Sequence, residues 1–304
     1  MKRRSFPHNR AAGSGGLTST GRKRLALDNS MEGIITPPEH AVDSGTLIWR
    51  YMDLPKFVSM LSTGDLWFTK AARLQDDPWE GFCEATNLEF PPDEYGPSPV
   101  EVQGPVKISF ERMFAELSYH SAETCRNARD HLYVNSWCLA SESMAMWQIY
   151  SSLAYGVAVK SSVGQYQGAL KSELRRQFLF GKVKYHDDLS ASSDIRRDFS
   201  DGVIPMGSNL FGQVLTLGLH KRSCYEYENE WRAALYQDSR PDAPGVQIPV
   251  DLEQLISAVY VCPRAEDFFV EVVSSIMDKF DLRKPLERSA LLTPPAAIKP
   301  SSSQ

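Results

Sequence analysis

Glu226, Glu228, Glu230 and Arg232 recur at every second position in Lys221-Arg222-Ser223-Cys224-Tyr225-Glu226-Tyr227-Glu228-Asn229-Glu230-Trp231-Arg232. Run as a strand, with side chains alternating between faces, this stretch sets the acids and Arg232 on one side. Tyr225, Tyr227 and Trp231 fall on the other, which has the character of core. The acidic side does not, because like charges so close repel and burial adds a desolvation cost. A basic side chain, a metal, a cationic substrate or plain solvent must compensate them. Because Trp231 and Arg232 follow immediately, Glu228 and Glu230 are read as part of a site, with Arg232 a candidate ligand contact. Glycoside chemistry uses carboxylates to stabilise positive charge that develops in a transition state. On an exposed strand edge the same charges would only discourage aggregation.

Arg50 is the second candidate. It lies among apolar and aromatic neighbours in Leu47-Ile48-Trp49-Arg50-Tyr51-Met52, where a guanidinium needs an acid or a phosphate. It either holds a ligand phosphate, with Tyr51 beside it, or closes a structural ion pair with Glu228 or Glu230. Trp147 and Tyr150 are three apart, on one helical face, and can stack on a planar base or sugar ring or pack as core. Asp76, Asp77 and Glu80 could add hard oxygen ligands for Mg²⁺ or Ca²⁺. The alternative is a loop that caps a helix and plugs Trp79 into the core. His131, His186 and His220 lack metal-binding spacing, and no P-loop, G-x-S-x-G or G-x-G-x-x-G pattern opens the folded region. Cys138 has no His/Asn arrangement that would mark a nucleophile.

The elements that must position these residues follow from pattern. Leu47–Met52 reads as a strand; Asp53 caps a helix with Pro55 in its first turn and Phe57, Met60 and Leu61 on one face. Gly64 stops it, and Asp65–Thr69 is the next strand. A helix is expected over 108–128 and a central strand over Leu132–Leu139. Ser141 or Ser143 caps a short helix over Met144–Tyr150, before a strand over Tyr155–Lys160. Later strands are expected over Phe180–Tyr185, Tyr227–Tyr236 and Ala258–Cys262, and helices over 163–176, 207–219 and 266–280. Strands and helices mix without a regular βαβ rhythm. The expected class is α+β: a single domain with a mixed or antiparallel central sheet and flanking helices.

The chain has 304 residues, 42% of them hydrophobic and 23% charged, ordinary for a soluble globular protein and of a length that suits one large domain or two small ones. Residues 1–45 join basic clusters (Lys2-Arg3-Arg4, Arg22-Lys23-Arg24) to Gly13-Ser14-Gly15-Gly16 and Thr36-Pro37-Pro38, a disordered tail by composition. The domain is expected over 46–284, followed by a Pro/Ser-rich disordered tail over 285–304. Residues 1–28 hold seven basic and one acidic residue; with a net charge of −5 overall, the remainder carries −11. So acidic a body argues against a broad nucleic-acid surface. No run of apolar residues is long enough for a membrane span. The five cysteines, Cys83, Cys125, Cys138, Cys224 and Cys262, never form a C-x-x-C pair, which favours a reducing, intracellular setting, cytoplasmic or nuclear. Mitochondrial targeting is disfavoured by Pro7 and the glycines of the tail.

Trp49-Arg50-Tyr51, Gly64-Asp65-Leu66-Trp67-Phe68, Asp77-Pro78-Trp79-Glu80-Gly81, Trp137-Cys138, Met146-Trp147-Gln148-Ile149-Tyr150, Gly156-Val157-Ala158-Val159, Val183-Lys184-Tyr185 and Tyr227-Glu228-Asn229-Glu230-Trp231-Arg232 together resemble the domain-of-unknown-function family numbered 2971. That resemblance spans roughly 46–262 and implies a domain, not an activity. A strand bearing Arg50, then a helix, then a second strand, with a late Glu-x-Glu pair at Glu228 and Glu230, is also similar to ADP-ribosyltransferase-type folds. The similarity implies NAD as the nucleotide ligand, Arg50 on its diphosphate, Trp147 flanking a ring, and Glu230 or Glu228 at the nicotinamide ribose. The Ser-Thr-Ser element of those folds has no counterpart, since Ser136 stands alone. Three readings stay open: an ADP-ribosyl-transferring or hydrolysing enzyme, a metal-dependent hydrolase or nuclease built on the carboxylates, and a non-catalytic binding module with a structural Arg–Glu network.

Overall fold

The computed structural model describes residue 36 and residues 38–74, 77–81, 127–139, 141–151, 153–175, 177–189, 210–237 and 243–294. The first strand, β1 (Leu47–Asp53), runs into α1 (Leu54–Thr63). Asp53 starts the helix by accepting a hydrogen bond from the Lys56 amide at 2.8 Å, and Pro55 pre-sets the first turn. Phe57, Met60 and Leu61 bury its apolar face, and Gly64 ends it at φ 71°, donating its amide to the Met60 carbonyl. That left-handed cap is a conformation glycine takes without a Cβ penalty. Strand β2 (Asp65–Lys70) begins at once.

The rest of the chain supplies β3 (Leu132–Cys138), α2 (Met144–Tyr150), β4 (Gly156–Ser162), α3 (Val163–Ala169), α4 (Ser172–Arg175), β5 (Phe178–Lys182), β6 (Lys184–His186), α5 (Leu210–Leu217), β7 (His220–Arg222), β8 (Glu230–Tyr236), β9 (Gly245–Pro249), α6 (Leu252–Leu255), β10 (Ala258–Val261), α7 (Asp267–Lys279) and β11 (Leu286–Arg288). Strand order is β11-β10-β4-β1-β3-β2-β9, with β8 between β3 and β5. All these pairs are antiparallel except β10–β11, while β6 and β7 form a separate parallel pair. The fold is α+β with a mixed sheet, as the sequence pattern implies, and the described residues lie in one compact unit.

Strand β3 has three neighbours. One edge pairs with β8 along its whole length, from Leu132↔Tyr236 to Cys138↔Glu230. The other edge is divided: β2 takes Tyr133 and Val134, and β1 takes Cys138 alone. Between those contacts β1 and β2 diverge. Asn135 bridges the start of the gap, donating from Nδ2 to the Trp67 carbonyl at 2.9 Å, and its Oδ1 accepts from Trp137 Nε1 at 2.8 Å and from the Tyr166 hydroxyl at 3.1 Å. Around it Trp137, Tyr166, Trp231 and Phe180 pack as core, with Tyr166 edge-on to both indoles and Phe180 stacked on Trp231.

Several elements differ from the sequence expectations. Lys221–Arg232 is not one strand. It is β7, a 3-10 helix over Ser223–Glu228, Asn229 at φ 43°, and β8. Strand β8 starts opposite the last residue of its partner β3; the Asn229 carbonyl still accepts from the Leu139 amide at 2.8 Å, and the residues before it turn away through the 3-10 helix. Tyr227 is consequently exposed and not core. The strand expected over Phe180–Tyr185 divides after Val183: that amide still bonds the Glu230 carbonyl beside β8, whereas the next, of Lys184, bonds the Leu219 carbonyl and takes β6 to β7. The helix expected over 163–176 breaks at Leu170, which bridges Val250. Strands β9 and β11 have no counterpart among the sequence expectations, and β7 matches only the first two residues of the expected Lys221–Arg232 strand.

The helix expected over 108–128 lies outside the described residues up to 126, as do residues 1–35 of the expected N-terminal tail and 295–304 of the C-terminal one. The boundaries 46–284 are too narrow. Thr36 hydrogen-bonds the Phe180 carbonyl, His40 is buried, and β11 beyond residue 284 completes the sheet. No helix among the described residues is long and apolar enough to cross a membrane.

Asn135→Leu would strand the Trp137 and Tyr166 donors and the Trp67 carbonyl in the interior. Each lost partner costs roughly 1–3 kcal/mol, so the variant should lose about 3 kcal/mol or more. Chemical denaturation of the two proteins checks this, and an unchanged midpoint would show that β2 is held by other contacts.

Candidate functional site

The divergence of β1 and β2 opens a cavity of about 550 Å³, a size typical of small-molecule sites. Strand β1 and α1 form one wall (Arg50, Tyr51, Lys56), and β2 and β9 the other (Trp67, Thr69, Gln247). Ser136 and Cys138 of β3 form the floor, continuous with Glu228, Glu230 and Arg232. Tyr150, Glu80 and Lys221 complete the lining.

The acids are compensated by side chains. Arg232 is buried; it contacts Glu80 through Nη1, bonds Glu230 through Nε and Nη2, and donates to the Gly218 carbonyl. Lys221 lies 2.9 Å from Glu228, 2.8 Å from Glu230 and 3.7 Å from Glu80, with its ammonium 4.6 Å from the Tyr225 ring centre. Three acids thus face two cations, and the excess is resolved by a proton. Burial, a hydrogen bond to Glu230 and the charge of Glu230 push Glu228 up to about 8, against the pull of Lys221. Burial would raise Glu230 too, but Arg232, the hydrogen bond from Glu228 and Lys221 hold it well below the usual carboxylate range. Glu228 is the acid of the pair and Glu230 the fixed anion. Burial opposes the charge of Arg232, yet Glu230 and Glu80 outweigh it and hold that guanidinium firmly protonated.

Glu230 is also fixed through its backbone, whose amide donates to the Tyr185 hydroxyl at 2.9 Å. Its carboxylate oxygens are both engaged by cations. Glu228, by contrast, is hydrogen-bonded by Tyr150 and Tyr227, and both of these tyrosines are exposed. Burial and the neighbouring acids raise the Tyr150 hydroxyl, which keeps it a donor. Arg50 is different again. Its Nη1 donates to the Ser136 carbonyl at 3.0 Å, and among the described residues no carboxylate ion-pairs with it. Burial lowers its pKa. The guanidinium takes the place of a ladder bond in the gap of the sheet, and its charge has no counter-ion there.

Of the residues suggested by sequence, Arg50, Tyr51, Tyr150, Glu228, Glu230 and Arg232 converge on the cavity. The Arg50–Glu pair, the alternative to a phosphate at Arg50, is not formed among the described residues: Lys221 and Arg232 take both glutamates, and the pairing of Trp49 with Cys138 starts the Arg50 side chain on the face opposite Glu230. Trp147 does not line the cavity. It is fully buried, edge-on to Tyr51 at 5.0 Å, with Nε1 bonded to Glu142. The Ser143 cap sets the helical phase that turns it inward, and the Ser143 amide is itself held by the Tyr51 hydroxyl at 2.9 Å. Asp77 pairs with Arg222 at 3.0 Å, Glu226 is exposed, and Asp76 lies outside the described residues. Lys221, Ser136, Trp67 and Gln247 had no assigned role. Lys221 stands in the quoted acidic stretch, but it reaches Glu228 and Glu230 only because the chain reverses through the 3-10 helix.

No protein-family model matches the chain and no curated protein does, so the resemblance to family 2971 rests on the quoted residues. Solved structures of DarT from Thermus sp. 2.9 are similar in part. The complex with NAD+ is 11% identical and has a TM-score of 0.34 over 82% of this chain and 98% of that one. The complex with carba-NAD+ is 12% identical, with a TM-score of 0.33 over 81% and 96%. The complex with ADP-ribosylated ssDNA is 13% identical, with a TM-score of 0.33 over 82% and 96%.

Two outcomes follow from the charge network. Arg232→Met leaves Lys221 as the one cation shared by the buried Glu80 and Glu230, a loss of about 3–5 kcal/mol by the usual cost of breaking a buried pair, read from unfolding curves. The pH response separates the two glutamates. Glu228 has a raised folded pKa, so its contribution to stability is full below the unfolded carboxylate value and is lost as pH rises toward about 8. Glu230, with a lowered value, contributes above the unfolded value and loses that contribution only as pH falls through the acid range. Wild-type stability measured against Glu228→Gln should therefore decline steadily from weakly acidic pH to about 8. A constant difference would show that Glu228 is ionised throughout.

Proposed function

We propose that this cleft binds a nucleotide, NAD⁺, through its phosphates and transfers or hydrolyses its ADP-ribosyl group. The observation that carries the reading is Arg50: a half-buried guanidinium on the cavity wall, without a carboxylate partner among the described residues, beside a glutamate pair of divided protonation. A cation so placed favours a bound anion, and a guanidinium favours the planar geometry of phosphate oxygens.

NAD⁺ supplies a ribosyl bond to a cationic leaving group, whose cleavage develops positive charge on the sugar. The chain's residues suit that task. Glu230 presents a permanent negative charge fixed by Arg232, Lys221 and the Tyr185 hydroxyl. Preorganised charge of this kind stabilises a transition state without reorganisation cost. Glu228 is the carboxyl able to touch a ligand hydroxyl, since its tyrosine partners are exposed side chains while both oxygens of Glu230 are already engaged.

The metal-dependent reading is weaker on electrostatic grounds. The charge a divalent ion would neutralise is already met by Lys221 and Arg232, which lie on the inward oxygens of Glu80, Glu228 and Glu230. A closed structural network accounts for Arg232 but leaves the adjoining cavity and Arg50 unexplained.

Titration calorimetry of the full chain with NAD⁺ tests the reading. Binding should be seen with the wild type and weakened by at least about tenfold in Arg50→Ala, as the loss of a charge-assisted phosphate contact implies. Glu230→Gln should retain binding while release of nicotinamide falls by about a hundredfold or more. No binding of NAD⁺ by a folded wild type would reject the reading.

A further inference from the structure

Trp147 is sealed in the core, so it cannot flank a bound ring, but Trp49, Trp67 and Trp137 line the cavity. Trp67 is 41% exposed, whereas Trp49, Trp137, Trp147 and Trp231 are buried. Its direction follows from register. In β2, Leu66 and Phe68 are buried, and Asp65, Trp67 and Thr69 point the other way. Thr69 pairs with Val134, and on the far edge of β3 Val134 pairs with Ala234, Ser136 with Arg232 and Cys138 with Glu230. Directly paired residues share a face of a sheet and alternate along each strand. Trp67 is therefore on the same face as Ser136, Arg232 and Glu230, across the gap from β1.

The ring is also seated. A Cβ at Gly245 of β9 would lie 2.4 Å from Cζ2 and 2.6 Å from Cε2 of Trp67. The indole thus rests on bare β9 backbone, in space that a side chain at position 245 would fill. A flat aromatic surface fixed on one side and exposed in a cavity wall is suited to stacking.

Order along β3 relates this ring to the charges. Glu230 is opposite Cys138, Arg50 bonds the Ser136 carbonyl, and Asn135 holds the Trp67 carbonyl. The pairing of Trp49 with Cys138 starts the Arg50 side chain on the face opposite Glu230 and Trp67, and its guanidinium meets their cavity in the gap, at the Ser136 carbonyl. Carboxylates, guanidinium and indole therefore line one cavity.

We propose that Trp67 is the base-stacking platform of the cleft, taking the purine ring of a nucleotide whose phosphates lie at Arg50. This rests on the nucleotide reading above and adds to it a side chain and a ligand moiety. The test uses the full chain and two probes, ADP and inorganic pyrophosphate, which share the phosphates and differ in the base. Binding is followed by calorimetry, with quenching of tryptophan fluorescence as the spectroscopic readout. Stacking on one base is worth about 1–3 kcal/mol, or roughly 5- to 150-fold in affinity.

Trp67→Ala should weaken ADP by that factor, abolish the ADP-dependent quenching and leave pyrophosphate binding unchanged; Trp67→Phe should retain most of the ADP affinity. If Trp67→Ala binds ADP as tightly as wild type, the platform is wrong and the nucleotide reading stands. Equal loss of both probes in Trp67→Ala would reveal a collapsed cleft and also overturn the platform. If the folded wild type binds neither probe, the nucleotide reading fails and the platform with it.

Discussion

A strand edge can satisfy only one partner at each position, and the division of one edge of β3 between β1 and β2 is the constraint from which the site follows. Tyr133 and Val134 pair with β2, Cys138 pairs with β1, and the backbone between them has no strand to bond. Buried carbonyls without partners are costly. Side chains fill the places of the absent ladder: Arg50 on the Ser136 carbonyl, and Asn135 on the Trp67 carbonyl. The ten residues of α1 carry the chain from β1 to β2, so the two strands are joined through a helix and not a tight turn. A cavity at a split in a sheet has rigid walls, because each wall is itself a paired strand: β1 on β4, β2 on β9.

Directly beneath that split lies a group of charges that would be destabilising if any member stood alone. Buried ion pairs repay their desolvation only with good geometry and full hydrogen bonding. Here Arg232 has Glu80, Glu230 and a backbone carbonyl, and Lys221 has three acids within ion-pair distance. Because two cations cannot neutralise three ionised acids, one acid takes a proton, and it is the one facing exposed tyrosines. The network fixes charge where it is permanent and leaves a movable proton at its edge. That division is common at sites of general acid–base chemistry, although structural networks also shift pKa values.

How much of this was legible in sequence depended on the range of the interaction. Asp53, Pro55 and Gly64 framed α1 because caps are local signals, and β1 and β2 were legible as short apolar and aromatic runs on either side of it, although the faces of β1, buried in adjacent pairs, were not. Arg50 and the Glu-x-Glu pair stood out because charge among aromatic residues demands a partner. Which partner was not readable. Lys221 comes within reach of Glu228 and Glu230 only after the 3-10 helix and the left-handed Asn229 reverse the chain, so a straight-strand reading hid the cation and made Tyr227 appear buried. Strand β9 escaped notice because Gly245–Pro249 is short and carries a glycine and a proline, both unfavourable in strands; its pairing with β2 is a long-range fact.

The two tryptophans show the same limit from the other side. Trp147 and Trp67 are equally suited by type to stack on a ligand ring, and helical spacing beside Tyr150 made Trp147 the more conspicuous. Spacing gives the face a side chain shares but not what that face meets. On α2 it meets Tyr51 and the core; on β2 the face opposite Leu66 and Phe68 meets an opening. The buried indole nonetheless serves the site, since its packing on Tyr51 and the Tyr51–Ser143 hydrogen bond tie α2, which carries Tyr150, to the strand that carries Arg50. A core contact and a cavity contact thus belong to one mechanical unit. The side chains at the cavity stay in place because their neighbours in sequence are packed where no ligand reaches.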